Sequence, residues 1–386
     1  MTRSPGTARA TARSPIPRSP SVHPASPLPR HRLALAAASV LLVATGLGAC
    51  SKGGGDAPDG STISGLLGAV PNTEDNRGYV VVNRYDAAEA GAKIDPKGDD
   101  ETGEELDRML QLSQEAGIAG TGVMDLTRGV DQIDALGFVP SDVTASVQAG
   151  NPPNAIDLAA IDVDEGDVLD AAAKVDGAER SEVDGVDIVR WLDDNEIEMD
   201  LDTPIGRVPG QAGRVAFVDG LLATATNDAV MEDAIATADG DEESLMDVEG
   251  IAAVAEALDD EDAFTAFIAG KNLGPGERST PSQREETPSL QSYEAIALGN
   301  AWSDDGLELV IAVAHEDEAA AKANEQALED VVADGTRATT ATRLSDLLQD
   351  PEVERDGTTV VATFDVEQPA LWYQFVLRYE PFLFGG

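Results

Sequence analysis

The chain has 386 residues, of which 72 are acidic and only 26 are lysine or arginine, so its formal net charge at pH 7 is −46. This charge argues against a nucleic-acid binder, which needs clustered basic side chains to displace counterions from phosphates. An apolar content of 42 % indicates a folded core, and a single cysteine excludes an internal disulfide bond.

The first 49 residues show the three successive regions of a secretory signal peptide. Residues 1–32 carry six arginines and no acidic residue, residues 33–44 are uncharged and mostly apolar, and small residues follow. The apolar run is shorter than the about 20 residues that a membrane-spanning helix needs. We therefore predict that residues 1–49 are a signal peptide that is removed on export.

The leader ends in Leu47, Gly48, Ala49 and Cys50, which together resemble the lipobox of bacterial lipoproteins. The resemblance implies that the Cys50 sulfur carries a diacylglycerol, and that a peptidase recognises the three residues before it. One acyl chain binds a bilayer only marginally, at about 10⁴ M⁻¹, so we expect two or three chains on Cys50. The predicted location is the cell membrane, lipid-anchored on the extracytoplasmic side, with residues 50–64 forming the lipidated end and a flexible tether.

Residues 65–270 show the pattern of a first α+β half. Two Asp-Gly turns, at Asp184-Gly185 and Asp219-Gly220, predict tight hairpins because both central residues of such a turn need positive φ. Asn227 is predicted to cap the helix that follows the second hairpin. Apolar periodicity predicts strands at residues 78–84, 143–148, 155–163 and 263–269, and helices at residues 104–116, 165–175, 227–238 and 245–258.

Residues 271–290 are rich in Gly and Pro and are predicted to form a mobile linker. Beyond them, residues 291–386 form a predicted second α+β half. It contains hairpins at residues 293–314 and 353–366 and helices at residues 316–333 and 341–348. Residues 143–191 and 293–366 share their order of hairpin, helix and hairpin. We therefore predict an α+β fold of two related halves, with antiparallel hairpin-rich sheets and helices packed on one face.

The body also resembles an uncharacterised family of exported bacterial proteins. Three stretches carry this resemblance: Val70-Pro71 before a strand at residues 79–83, the strand pair at residues 213–226 before a helix, and Leu245-Met246-Asp247 opening the next helix. The family has no assigned activity. The resemblance therefore implies a fold and an exported location, and it implies no site residues.

Candidate catalytic and metal-binding residues are few. His315 is the only histidine after the leader, and we interpret it as an exposed loop residue before an acidic helix. The acidic runs at residues 162–164, 193–202 and 259–262 lack the ligand spacing of a calcium loop, so we interpret them as solvated surface. We expect no catalytic residue, no metal and no cofactor.

The C-terminal tail concentrates aromatic residues. Over residues 368–380 the apolar residues fall on one helical stripe. One interpretation is a final helix that docks on the sheet, and the other is an interface for a partner protein or the bilayer surface. The interface residues would be Trp372, Phe375, Tyr379 and Phe382.

Together these patterns predict an exported, membrane-anchored acidic lipoprotein with a non-catalytic binding or interaction role in the cell envelope. Its expected partners are the lipid bilayer, through Cys50, and an envelope protein, with no nucleic acid. One alternative is a solute-binding or carrier lipoprotein with a cleft between the halves. The other is a hydrolase that uses two carboxylates.

Overall fold

A computed structural model of the chain describes residues 60–94, 102–120, 124, 135–205, 210–271, 290–337, 340, 342–378 and 380–384. The predicted signal peptide, Leu47, Gly48, Ala49 and Cys50 lie outside the described residues, as does the predicted linker between residues 272 and 289. Gly55–Gly386 forms one compact unit.

The secondary structure of the described residues alternates helices with antiparallel strands. The helices are α1 (Ile63–Gly68), α2 (Glu74–Gly78), α3 (Tyr85–Ala92), α4 (Thr102–Glu115), α5 (Glu165–Ala172), α6 (Asp228–Ala238), α7 (Glu249–Asp260), α8 (Glu318–Asp334), α9 (Leu371–Arg378) and α10 (Pro381–Phe384). The strands are β1 (Val80–Arg84), β2 (Val143–Ala149), β3 (Ile156–Ile161), β4 (Glu179–Val183), β5 (Val186–Trp191), β6 (Gly213–Val218), β7 (Leu221–Ala225), β8 (Thr265–Gly270), β9 (Ala295–Trp302), β10 (Leu307–Ala314), β11 (Gln349–Asp356) and β12 (Thr359–Asp365).

These strands form one twelve-stranded antiparallel sheet in the order β11-β12-β10-β9-β8-β1-β2-β3-β7-β6-β5-β4. Local turn chemistry sets several of the pairings. Asp184 and Gly185 have φ values of 50° and 88°, and Asp219 and Gly220 have φ values of 50° and 77°, as tight hairpin turns require. The predicted α+β class and its antiparallel hairpins are confirmed.

Helices cover both faces of the sheet, so the prediction of helices on one face is wrong. Val81 of β1 packs in a core with residues of α3, α4, α5, α8 and α9, whereas Val80 and Val82 pack in a second core with α1, α6 and α7. The central strands are apolar on both sides; all residues of β8 are buried. Strands of that kind need a covering layer on each face.

The two predicted halves repeat one element order within this single sheet. Hairpin β2–β3, helix α5 and hairpin β4–β5 correspond to hairpin β9–β10, helix α8 and hairpin β11–β12. The pairing differs, because β12 pairs directly with β10, whereas the β6–β7 hairpin lies between β3 and β5. Strands β8 and β9, on either side of residues 272–289, pair from Thr265–Asn300 to Gly270–Ala295. The sheet is therefore continuous across the predicted boundary between the halves.

Two local predictions also need correction. Ile63 and Ser64, assigned to the tether, begin α1, where their backbone N–H groups donate to the Asp259 carboxylate at 2.7 and 2.9 Å. Residues 341–348 are expected to be a helix, but their described part, 342–348, contains the 3₁₀ turn Leu344–Asp346 and no α-helix. Strand β11 begins directly afterwards, at Gln349.

The edges of the sheet are the strands β4 and β11. Every residue of β4 except Val183 is exposed, and every residue of β11 except Val353 is exposed. Pro351 and a register shift between Gln349 and Glu352 interrupt β11. Charged, bulged or proline-containing edges of this kind discourage pairing with a further strand.

Candidate functional site

A surface groove of about 430 Å³ lies between α7 and the outer hairpin β11–β12. One wall is α7 and the residues that end it, and the other wall and the floor are the sheet. The lining acidic residues are Glu256, Asp260, Glu261, Glu352, Glu354 and Asp356, and the floor includes Thr359, Val361 and Thr363. We call this groove the acidic trough.

Strand alternation explains why so many carboxylates meet in the acidic trough. Glu352, Glu354 and Asp356 occupy every second position of β11, so they point to one face of the sheet. In the β11–β12 register they lie opposite Thr363, Val361 and Thr359 respectively. On α7, Glu256 and Asp260 are four residues apart and therefore share one helix face.

The carboxylates of the acidic trough are close enough to affect one another's protonation. Partial burial, followed by the negative charges of Glu308 and Glu354, raises the pKa of Glu261 above its usual value. Arg355 also lines the trough, but its Nε atom donates to Glu325 of α8 at 3.1 Å, and α8 packs on the opposite face of the sheet. The charge of the acidic trough is therefore largely uncompensated.

The acidic runs that we interpreted as solvated surface also contain side chains with structural roles. Asp259 caps α1, as described above, and Asp164 caps α5 by accepting from the Gly166 N–H group. Asp194 accepts from the Arg214 guanidinium at 2.6 Å and from the Asp228 N–H group at 3.0 Å, at the start of α6. Within the described ranges no three His, Cys, Asp or Glu side chains are grouped as metal ligands.

His315 is buried, with 5 % of its surface exposed, so the prediction of an exposed loop histidine is wrong. Its Nδ1 atom lies 2.9 Å from the Thr358 carbonyl oxygen, and the Asn324 amide nitrogen lies 2.7 Å from its Nε2 atom. Because a carbonyl accepts and an amide NH₂ group donates, the neutral ring carries its proton on Nδ1. Burial lowers the pKa of His315. Both ring nitrogens thus have structural partners.

The aromatic tail residues are part of the core. Trp372, Phe375 and Phe382 are at most 1 % exposed, and Tyr379 lies outside the described residues. The Trp372 Nε1 atom donates to the Gly117 carbonyl oxygen at 3.1 Å, and the Phe375 and Phe382 rings meet edge to face. The interface interpretation is therefore corrected for these three residues, which dock helices α9 and α10 on the sheet.

The acidic trough lies within a segment that matches a known family. The model of the family described as "Protein of unknown function (DUF3352)" matches residues 168–369. The chain belongs to this family. The DUF3352 segment runs from α5 to the residues after β12 and contains all the described residues that line the trough, whereas Cys50, α3 and α4 precede it.

Comparison with individual proteins adds no site assignment to the DUF3352 segment. No curated protein matches the chain. Among solved structures, crystal form I of TP0453 is similar with a TM-score of 0.39 and 9 % identity, covering 81 % of this chain and 96 % of that one. Crystal form III of TP0453 has a TM-score of 0.35 and 8 % identity, covering 80 % and 97 %. We draw no functional conclusion from these two similarities.

Sequence reasoning did not find the acidic trough, although one signal was present. The alternation of Glu352, Glu354 and Asp356 marks one polar face of a strand, which is visible in the sequence. The opposing Glu256 and Asp260 are about one hundred positions away in the chain, so only the tertiary structure brings them together.

No described helix has the length and apolar character needed to cross a bilayer.

Proposed function

We propose that this chain is a lipid-anchored envelope protein whose acidic body binds a partner in the acidic trough and catalyses no reaction. The observation that carries the proposal is the set of six carboxylates around one open groove, whose described lining contains a single basic residue, Arg355. Crowded carboxylates repel one another, and a bound cationic group would relieve that repulsion. The favoured partner is therefore a protein segment that presents lysine or arginine side chains.

The floor of the acidic trough supports a protein segment as the occupant. Val361 and the α7 residues Ala253 and Ala257 provide apolar surface between the rows of carboxylates. A basic segment with apolar side chains would bury that surface while its charges meet the walls. Complementary charge of this type speeds association and makes binding sensitive to salt.

The anchor part of the proposal comes from the sequence. Cys50, with Leu47, Gly48 and Ala49 before it, carries the lipobox resemblance. The acyl chains would hold the protein at the membrane despite a net charge of −46, which an anionic lipid surface repels.

The solute-carrier alternative placed a cleft between the two halves, and the paired strands β8 and β9 occupy that position.

Site-specific photocrosslinking in intact cells tests the trough. A photoreactive residue at Thr363, on the trough floor, should give a discrete crosslinked product whose partner peptide is basic. The double variant Glu352→Gln/Glu354→Gln should lose this product. The matched control Glu182→Gln/Asp187→Asn removes two carboxylates from the exposed hairpin at the other end of the sheet and should retain it. Equal crosslinking in both double variants would contradict the proposal.

Metabolic labelling with a palmitate analogue tests the anchor independently. The wild-type chain should be labelled and should remain in the membrane fraction after a high-salt wash. The Cys50→Ala variant should be unlabelled and released. A Cys50→Ala protein that stays with the membrane would refute lipid anchoring at this residue, whatever the trough binds.

A further inference from the structure

A buried ion cluster joins α3 to α4 on the face of the sheet opposite the acidic trough. Glu89 of α3 and Glu105 and Arg108 of α4 have side chains that are 3 %, 3 % and 7 % exposed. One terminal nitrogen of Arg108, Nη2, pairs with Glu89 Oε1, and the other, Nη1, lies 3.2 Å from Glu105 Oε2. One guanidinium thus serves two buried carboxylates.

The two carboxylates are unequally supported by hydrogen bonds. Glu105 also accepts from the Ser141 hydroxyl at 2.8 Å and from the Ser141 backbone N–H group at 3.2 Å. By contrast, Glu89 Oε2 and Arg108 Nε are buried and have no hydrogen-bond partner among the described residues. A buried carboxylate oxygen without a partner is costly, so Glu89 is the member of the cluster that a proton would relieve most.

Further negative charge faces the cluster from neighbouring elements. Asp86 lies one turn before Glu89 on α3, and Asp162 follows β3. Partial burial raises the pKa of Asp86, with Arg108 opposing the shift and Asp162 adding to it. Burial likewise raises the pKa of Glu89, against the influence of Arg108 and with that of Asp86 and Glu105.

We propose that Glu89, Glu105 and Arg108 form a proton-sensitive latch between α3 and α4. Protonation of Glu89 removes the excess negative charge of a cluster in which one guanidinium faces two carboxylates, and so tightens the junction, whereas deprotonation loosens it. Arg108 and Glu105 remain paired in both states, with Ser141 holding Glu105 in place. The latch is independent of the acidic trough and of its partner.

Two tryptophans connect the latch to the rest of the fold. Gly91 of α3 packs so closely on Trp302 that a Cβ atom there would lie 2.0 Å from the ring. Just after α4, the Gly117 carbonyl oxygen accepts from the Trp372 Nε1 atom. Opening of the α3–α4 junction should therefore change the surroundings of both indoles.

The direction of the pH effect follows from proton linkage. The closed latch binds a proton on Glu89 more readily than the open one, so opening is least frequent at acidic pH. Opening should increase as the pH rises from the ordinary glutamate range towards the raised pKa of Glu89, by up to about tenfold per pH unit, and then level off.

Hydrogen exchange of α3 and α4 in the full chain, corrected for intrinsic rates, measures this opening from the ordinary glutamate range, about pH 4, up to about pH 8. Fluorine NMR of 5-fluorotryptophan at positions 302 and 372 should follow the same transition. The Glu89→Gln variant should remove most of the pH dependence. Asp86→Asn should keep it with a lower midpoint, because the Asp86 charge helps to raise the pKa of Glu89, and the exposed Glu115→Gln on α4 should keep it unchanged.

Several outcomes would overturn the latch. These are a wild-type junction whose opening does not change with pH, a Glu89→Gln variant that keeps the wild-type dependence, and an Asp86→Asn variant that loses it. Should Glu89→Gln fail to fold, carbon-13 NMR titration of the wild-type carboxyl groups decides. A Glu89 midpoint above the ordinary range supports the latch, and an ordinary midpoint refutes it.

Discussion

Glu308 on β10 lies directly opposite Asp365 on β12, so two carboxylates share one face of adjacent antiparallel strands. Like charges in this position repel each other. Glu308 also contributes to the raised pKa of Glu261, which lines the acidic trough. The register of two strands thus concentrates negative charge beside the groove that we propose as the binding surface.

Removing one of these opposed charges should stabilise the protein. We expect Glu308→Gln to increase the free energy of unfolding by about 0.2–1 kcal/mol, because the like-charge pair is lost. Urea denaturation measures the change. Glu367→Gln, at an exposed position just beyond β12, is the control and should have a smaller effect. A Glu308→Gln protein less stable than the wild type would contradict the repulsion.

Two carboxyl groups should favour the folded state when the pH is lowered mildly. Partial burial raises the pKa of Glu261, and partial burial with the charges of Asp350 and Asp305 raises the pKa of Asp365. Each group therefore binds a proton more readily in the folded chain than in the unfolded one. Its stabilising contribution is complete below the ordinary carboxyl pKa of about 4 and is lost as the pH rises through the folded-state value.

Urea midpoints measured at several pH values check this sign. Over the same interval the buried His315, whose pKa is lowered by burial, acts in the opposite direction, so the contribution of the carboxyl groups is read from variants. As the pH is lowered from 7 towards the ordinary carboxyl range, the midpoint of a Glu261→Gln/Asp365→Asn variant should gain less than that of the wild type, whereas the exposed Glu182→Gln variant should follow the wild type. A double variant whose midpoint follows the wild type at every pH would contradict the raised pKa values of Glu261 and Asp365.

The buried pair of Arg337 and Glu380 should be sensitive to loss of one partner. Arg337 Nε donates to Glu380 Oε1 at 3.1 Å, and the two side chains are 6 % and 1 % exposed. We expect Glu380→Gln to cost about 3–5 kcal/mol, because Arg337 then remains buried without a counter-charge. The exposed pair Arg180–Asp170 provides the comparison, where Asp170→Asn should cost less than about 1 kcal/mol. Thermal or urea unfolding distinguishes these magnitudes.

Alanine substitutions at two glycines distinguish the cost of backbone strain from the cost of a steric clash. Gly117 and Gly177 both have positive φ, at 70° and 77°, but a Cβ atom at Gly117 would lie 2.1 Å from the Pro369 carbonyl oxygen, whereas nothing lies within 4 Å at Gly177. Gly177→Ala should cost about 1–2 kcal/mol for the left-handed backbone alone. Gly117→Ala should cost a further about 1–3 kcal/mol for the clash. Equal losses of unfolding free energy would refute the close approach of the two segments.

Turn chemistry made much of the fold predictable from local sequence. The Asp-Gly turns at residues 184–185 and 219–220 depend on positive φ at two adjacent residues, which the dipeptide itself favours. Asn227 likewise caps its helix by accepting from the Val230 N–H group, three residues later. The insertion of β6–β7 between β3 and β5 depends on long-range pairing, which no local pattern contains. Helices α1 and α2 are only six and five residues long, too short to show a periodicity.

The acidic trough was hidden for a related reason. Its two sides come from α7 and β11, and neither side has a spacing that identifies a ligand. His315 was misplaced because the sequence does not reveal that Asn324, nine residues later on α8, turns back to bond its ring.

The exposed, charged edge strands of the sheet affect whether neighbouring copies of the protein can pair edge to edge. Among the described residues, each end of the sheet is a strand that pairs on one side, and the edge strand β11 carries Asp350, Glu352, Glu354 and Asp356. Two β11 edges that approach each other would place carboxylates against carboxylates, with Pro351 removing one backbone donor. Molecules crowded side by side should therefore stay separate bodies and not merge their sheets into a fibre.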